Sequence, residues 1–215
     1  MKKQANKYFF TVEGETEQWY FEWLQKAINS SDAPYFAKFD CRKKDPLKRA
    51  VGFSPIEKTE IFHVVDRESE DDVHVQKFKK TLDRMYEAEH LGKTIKYRLG
   101  YSNYAFELWI VLHKAECNGA LAHRSQYLRF LNEAYSERFE SLDKYKRKSN
   151  FKRVLSKLTL DDVCQAVERS KSIMQHRQEH DFILHKYKGY EYYKENPSLS
   201  IGQIVEKVMS ECGVM

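Results

Sequence analysis

Short apolar runs in this chain repeatedly end in acids, and a stretch with three-to-four spacing follows each of them. "KYFFTVE" at 7–13 is aromatic and β-branched and closes on Glu13, which predicts a buried strand. "ETEQWYFEWLQKAIN" at 15–29 then sets Trp19, Trp23 and Ala27, and also Tyr20 and Leu24, at helical spacing, with Thr16 as the expected cap. "SSDAP" breaks that helix, and "YFAKFDCR" at 35–42 reads as a second strand. The opening pattern returns in "KTEIFHVVDRESEDD" at 58–72, where Ile61 to Val65 run into Asp66 and further acids. A helix follows through Val73, Phe78, Leu82, Met85, Tyr86 and Leu91. "KTIKYRLGYSN" at 93–103 reads as another strand, and "YAFELWIVLHKAEC" at 104–117 as a buried helix.

Strands alternating with helices predict βαβ units, a parallel sheet and an α/β class. Beyond Asn118-Gly119 the pattern becomes helical. "HRSQYLRFLNEAYSERF", "TLDDVCQAVERSKSIMQHRQEHDFILHKY" and "SIGQIVEKVMSEC" all carry three-to-four spacing, with Thr159 or Asp161 starting the second and "ENPSLS" turning into the third. The expected division is an α/β core over 1–116 and a mostly α-helical C-terminal portion over 117–215.

Composition narrows the class. Apolar residues make up 41% and charged residues 32% of 215, too apolar for disorder and long enough for one well-cored domain. No apolar run reaches the roughly 20 residues that span a bilayer, and the N-terminus lacks the pattern of a secretory signal. The expected location is therefore the cytoplasm, with no membrane. Cys41, Cys117, Cys164 and Cys212 are scattered without a Cys-x-x-Cys and read as reduced thiols. The net charge of +5 gathers in "CRKKDPLKR", "KFKK" and "KYKRKSNFKR", which are either solvated faces or phosphate-binding patches.

The acids at the strand ends carry the candidate chemistry. In an open parallel sheet ligands bind beyond the carboxyl ends of the strands, so Glu13, Glu15 and Glu17 are expected to face the same crevice as Asp66, Glu68 and Glu70. Gly14 allows a sharp turn between strand and helix. Hard cations such as Mg²⁺ take one or two carboxylates and keep several waters, and a pair of them can drive phosphodiester cleavage. Helix N-termini favour acids in any case, which is enough to explain Glu15 and Glu17 but not Glu13 or Asp66. Glu107 lies among Phe106, Leu108, Trp109 and Ile110, a costly setting for an unpaired carboxylate. His113, about two turns on, either shares a polar helix edge with it or orients it.

The ordered set "VEGETE", "VVDRES", "SNYAFELWIVLH" and "NPSLS" resembles the RloB-like family over most of the chain. The resemblance implies a TOPRIM-type fold, a small parallel sheet flanked by helices with acids gathered at its edge. It implies that Glu13 is a general acid/base or metal-linked residue and that Asp66 is the first acid of an Asp-x-Asp motif. Glu68 stands where that motif has its second aspartate, and its longer arm shifts a bound ion. Glu107 matches the glutamate of a Phe-Glu-x-Trp segment. The implied function is a Mg²⁺- or Mn²⁺-dependent endonuclease with Glu13, Asp66, Glu68 and Glu107 catalytic, the first three holding metal, and Glu17 and His113 in support. Such proteins are expected in antiphage, abortive-infection defence beside an AAA-type ATPase. The chain itself has no Gly-x-x-x-x-Gly-Lys-Ser/Thr. RNA (including transfer RNA) and DNA remain open as substrates, as does a homo-oligomer.

On that reading Lys144, Lys146, Arg147, Lys148, Lys152 and Arg153 hold nucleic-acid phosphates, and Tyr145 and Phe151 between them stack bases. The alternative is a catalytically weakened binding or scaffold subunit, which the glutamate at position 68 supports. A third reading takes "HRQEH" at 176–180 as an inverted zinc-protease motif, although no third ligand stands out. "YKGYEYY" at 187–193 either packs or stacks.

Overall fold

The computed structural model describes residues 4–117, 121 and 123–215. The first half builds the predicted alternation. Strand β1 (Ala5–Val12) leads to helix α1 (Glu15–Asn29), β2 (Phe36–Lys43) to the short α2 (Pro46–Ala50), β3 (Thr59–Arg67) to α3 (Asp72–Glu89), and β4 (Ile95–Asn103) to α4 (Glu107–Leu112). The four strands form one parallel sheet in the order β2-β1-β3-β4, with Phe10 opposite Phe62 and Val12 opposite Val64.

Alternation along the strands sends side chains to two cores. Phe10, Val12, Phe62 and Val64 pack with Tyr20, Phe21 and Leu24 of α1 and with α4 on one face. Ile61, Val65, Tyr97 and Tyr101 pack with Phe78, Leu82 and Met85 of α3 on the other. Helices therefore cover both faces, as a parallel sheet requires. Between β1 and β3, at the middle of the sheet, Thr11 and His63 are paired neighbours joined by a 2.8 Å hydrogen bond and fully buried.

The C-terminal portion is mostly helical, as expected: α5 (Tyr127–Tyr135), α6 (Leu142–Tyr145), α7 (Lys148–Leu155), α8 (Leu160–Glu179) and α9 (Ile201–Glu211). Their apolar faces join the α1 side of the sheet in one continuous core, where Tyr8 of β1 meets Cys212 at 3.7 Å. The Asn118-Gly119 junction lies outside the described residues. Among the described residues no helix is long and apolar enough to cross a membrane.

Three local expectations are corrected. Thr16 does not cap α1: Gly14 is the N-cap, and the Thr16 hydroxyl donates to Glu17 instead. The helix expected over 104–117 is α4, only Glu107–Leu112, with Tyr104 at φ 64° before it. The long C-terminal helix stops at Glu179, and the residues expected to continue it to Tyr187 end in β5 (Leu184–Tyr187), which forms a hairpin with β6 (Tyr190–Tyr193). Lys188 and Gly189 turn it, both at positive φ, the backbone that two-residue hairpins need. Helical spacing up to Tyr187 had masked β5, while the tyrosines of β6 carried no helical expectation. Tyr190, Tyr192 and Tyr193 are buried, so the cluster packs.

Asn103, at the end of β4, ties the segment after the hairpin to the sheet. It is 1% exposed, and its Nδ2 lies 2.7–3.2 Å from the carbonyls of Tyr193, Lys194 and Glu195 and from Ser198 Oγ. Removing it leaves buried acceptors unpaired, at about 1–3 kcal/mol. Asn103→Ala should lower the melting temperature by several degrees, and Asn103→Asp, an acceptor facing acceptors, by more. Thermal unfolding of both variants checks the order.

Candidate functional site

The sheet order reverses between β1 and β3, since α1 covers one face and α3 the other. Such a switch point opens a crevice at the carboxyl ends of the two strands. A pocket of about 290 Å³ lies there, lined among others by Glu13, Glu17, Asp66, Glu68, Arg124 and Lys146. Glu13, Asp66 and Glu68 thus meet in one place with Glu15 and Glu17, whereas Glu70, expected in the same crevice, is exposed and paired with Arg67 outside it.

Each acid arrives by a different local route. Glu13 follows the last β1 residue and, by alternation, turns toward α3, where Lys77 Nζ is 3.3 Å away. Glu17 is in the first turn of α1, yet it is only 4% exposed, because its carboxylate folds back over Gly14. A Cβ at position 14 would come within 2.4 Å of Glu17 Oε2, so the glycine leaves the room this carboxylate occupies. Thr16 Oγ1 donates to the same oxygen at 2.9 Å. Asp66 has the parity of Phe62 and Val64 and so points toward the α1 side.

Glu107, at the start of α4, closes the cluster from above the α1 face. It is 1% exposed, and both of its oxygens are buried without a hydrogen-bond partner among the described residues. Lys146 Nζ lies 3.1 Å from Oε1, an ion-pair contact that misses hydrogen-bond geometry. Burial would lower the Lys146 pKa, but Glu107 and Asp66 outweigh it and hold the ammonium above its ordinary value. Asp66 is pushed well up, first by burial and then by the negative charges of Glu17 and Glu107. Glu17 is raised by burial and by Glu107, partly offset by its own backbone amide and the Thr16 hydroxyl.

Glu68 has a different character. Lys77 donates to it at 2.6 Å, while His74 and Arg124 stand 3.3 and 3.4 Å from its other oxygen. Burial works to raise its pKa, but these neighbours hold it below the usual range. Glu13 moves the other way, raised by burial against a partial offset from Lys77. The cluster therefore has two halves. Asp66, Glu107 and Glu17 are crowded around the single cation Lys146, whereas Glu68 is met by Lys77, His74 and Arg124.

The basic segment divides. Lys146 enters the pocket from the turn between α6 and α7. Arg153 pairs with Glu137 at 2.8 Å, and Lys148 covers the Trp19 ring at 5.9 Å. Lys144, Arg147, Lys148, Lys152 and Arg153 are all exposed. Tyr145 and Phe151 are fully buried, so the expected base stacking by them is corrected: they are the apolar faces of short helices. His113 is corrected likewise. Its ring bonds to the Trp109 carbonyl at 2.9 Å and the Tyr20 hydroxyl at 3.1 Å, and burial drops its pKa to about 4. It ties α4 to α1 and does not touch Glu107.

Sequence reasoning gave no individual role to Lys77, His74 or Arg124. Lys77 belonged to a basic patch already noted, but nothing in the run set it apart from Lys79 or Lys80. Arg124 lies far along the chain in a short turn of 3₁₀ helix, without a local signal.

A hard divalent cation suits the donor set. Asp66, Glu107 and Glu17 offer oxygen only, the chemistry preferred by Mg²⁺ and Mn²⁺, and the Glu107 oxygens, without a hydrogen-bond partner among the described residues, are groups such an ion would satisfy. Among the described residues, however, no group of three or more His, Cys, Asp or Glu side chains is placed to hold a metal ion together. The zinc reading finds no support in the geometry of its motif: His176 and His180 stack ring on ring at 4.0 Å, and His180 Nδ1 bonds to the His176 carbonyl.

A family model described as RloB-like protein matches residues 8–208, nearly the whole chain. No curated protein and no solved structure matches it.

Because Asp66 has a raised pKa in the folded chain, its charge opposes folding as pH rises through that value, and protonation relieves the strain at lower pH. Without divalent metal, Asp66→Asn should therefore melt higher than the parent at pH 8, by roughly 1–2 kcal/mol of stability. The gain should shrink as pH falls toward 5. A parent-minus-variant difference that is flat with pH would exclude charge crowding at Asp66.

Proposed function

The chain belongs to the RloB-like family, and we propose that it is a divalent-metal-dependent endonuclease that cuts nucleic-acid phosphodiesters in antiphage defence, working with an AAA-type ATPase. The observation that carries this reading is the convergence of Glu13, Glu17, Asp66, Glu68 and Glu107 around the β1–β3 switch point, with Glu107 Oε1 met only by the Lys146 ion pair and Oε2 buried without a hydrogen-bond partner among the described residues. In place of the expected set of Glu13, Asp66 and Glu68, Asp66 and Glu107 would hold the ion with Glu17 beside them, since Glu13 and Glu68 both face Lys77. A divalent cation there supplies a Lewis acid that activates water and offsets charge on the phosphoryl oxygens. Glu13, whose pKa burial raises, would be the carboxylate to move a proton there. Lys146, Arg124 and Lys77 place positive charge around the same pocket, where a phosphate's own charge would be met. The exposed lysines and arginines of 144–153 would hold the strand beyond it. The ATPase and the defence setting are what the family resemblance implies.

A second reading has an observation of its own. Glu68, the second acid of the expected Asp-x-Asp pair, is already engaged by Lys77, His74 and Arg124. A weakened or lost metal site would leave a nucleic-acid-binding scaffold of the same complex.

Purified chain, alone and with its ATPase, should be assayed on transfer RNA, single-stranded RNA and plasmid DNA with EDTA, Mg²⁺ or Mn²⁺. Metal-dependent cleavage is expected, reduced about 100-fold or more in Asp66→Asn and Glu107→Gln. Strand binding that persists without cleavage under every metal, with and without the ATPase, would leave only the scaffold.

A further inference from the structure

Strand β2 is the last strand on its side of the sheet, so every second residue turns its amide and carbonyl away from β1. The Phe36 amide donates inward, to the Gln4 carbonyl, which leaves Ala37, Phe39, Cys41 and Lys43 facing outward. Side chains of α1 close the start of this edge. Asn29 accepts from the Ala37 amide at 2.8 Å and donates to its carbonyl at 2.9 Å, and Gln25 Oε1 accepts from the Phe39 amide. Beyond that point nothing among the described residues takes the Phe39 carbonyl, the Cys41 amide and carbonyl, or the Lys43 amide. The far edge of the sheet is treated differently: residues 198–200 pair with Tyr101 and Asn103 of β4, and Glu89 takes the Tyr97 amide. An edge strand with open backbone groups is a template for pairing with another strand.

The open groups are symmetric about Cys41. In an antiparallel pair with Cys41 opposite Cys41, the two central residues would exchange both N–H···O bonds, and Lys43 of each strand would lie opposite Phe39 of the other. Each Lys43 amide then meets an open Phe39 carbonyl. The four bonds use every group left open, and the Phe39 amide already taken by Gln25 is not needed. The charges match as well. Asp40 and Arg42 lie on the face away from α1, where Asp40 meets Arg49 at 2.6 Å and Arg42 at 2.7 Å. In this register Asp40 of each strand is directly opposite Arg42 of the other, within cross-strand reach. The Arg42 side chain is 63% exposed and free to make that contact. Centring the pair on Asp40 or on Arg42 instead would set like charges face to face.

We propose that two copies of this chain pair antiparallel through β2, centred on Cys41, and join their sheets into one. The occupant is a second copy rather than a foreign strand, because the twofold match of open groups and charges is a property of this segment against itself. The overlap is confined to Phe39–Lys43, since Gln25 and Asn29 close the edge before it. Such a pairing is small beside a standard interface, so the dimer forms reversibly and depends on concentration. The assignment does not rest on the nuclease reading, since none of the clustered acids takes part in it.

The test is sedimentation equilibrium of the full chain, in EDTA, from about 1 to 300 µM. A monomer–dimer equilibrium is expected. Cys41→Pro removes the two central N–H donors from an edge that tolerates proline, and should weaken the dimer about tenfold or more. Thermal unfolding of the dilute variant checks that its fold stands. Arg42→Asp, at an exposed position, and Asp40→Arg should each weaken self-association by a similar factor. An equal mixture of these two should associate as a heterodimer, because two acids of one chain then face two arginines of the other. The proposal fails if the parent stays monomeric throughout, which leaves the edge to a foreign strand. It fails equally if Cys41→Pro and Arg42→Asp dimerise as the parent does, or if the mixture associates no better than its components.

Discussion

Everything at the carboxyl edge of the sheet depends on keeping like charges together where water screens them poorly. Two carboxylates about 4 Å apart repel by roughly 4 kcal/mol at an effective dielectric constant of 20. Glu17 and Asp66 feel each other's charge and that of Glu107, and both rise in pKa. The fold can sustain this because each acid is anchored from a different element: a strand end, a first helical turn and a short helix sealed by Phe106, Leu108 and Trp109. No single segment could relax and separate them. The apolar packing on either side of the sheet supplies the stability that the cluster consumes.

The β1–β3 position explains why the acids meet here. At that point of the strand order the following helices leave to opposite faces, and the space between their starts is left to side chains. Glu13 and Asp66 project to opposite sides of the same gap. The turn at 193–198 lies near the gap's other flank, held by Asn103 and by Arg67, whose Nη1 donates to the Lys194 carbonyl at 2.8 Å. Tyr127 senses the charges of Glu107 and Asp66 while its hydroxyl bonds to Asn196, so this turn and the acidic pocket share a neighbour.

Much of this was legible in the chain. The sheet followed from the alternation of strand and helix patterns, and Glu13 and Asp66 stood out because acids ending apolar runs have no helical explanation. Glu107 was visible as a charge among large apolar residues. Glu17 was harder. An acid in a first helical turn normally needs only the helix dipole to account for it, and its burial depends on a glycine cap that lets the carboxylate fold back. Lys146 and Lys77 could not be told from neighbouring lysines, because their roles are set by contacts across the fold. β5 was hidden because helical spacing runs on to Tyr187, and the tyrosines of β6 carried no helical expectation.

The Lys146–Glu107 contact has a consequence for occupancy. An ammonium tethered against a carboxylate is a bound cation that never diffuses away, present at an effective concentration set by the chain itself. On the proposed reading a divalent ion arriving from solution would have to displace it, and its apparent affinity would be discounted by the fraction of time the lysine is in place. Because Lys146 is carried on the turn between α6 and α7, that discount would be written into the packing of the helical portion rather than into the sheet. The threshold concentration for the proposed metal would then be a property that α6 and α7 can change without any acid moving.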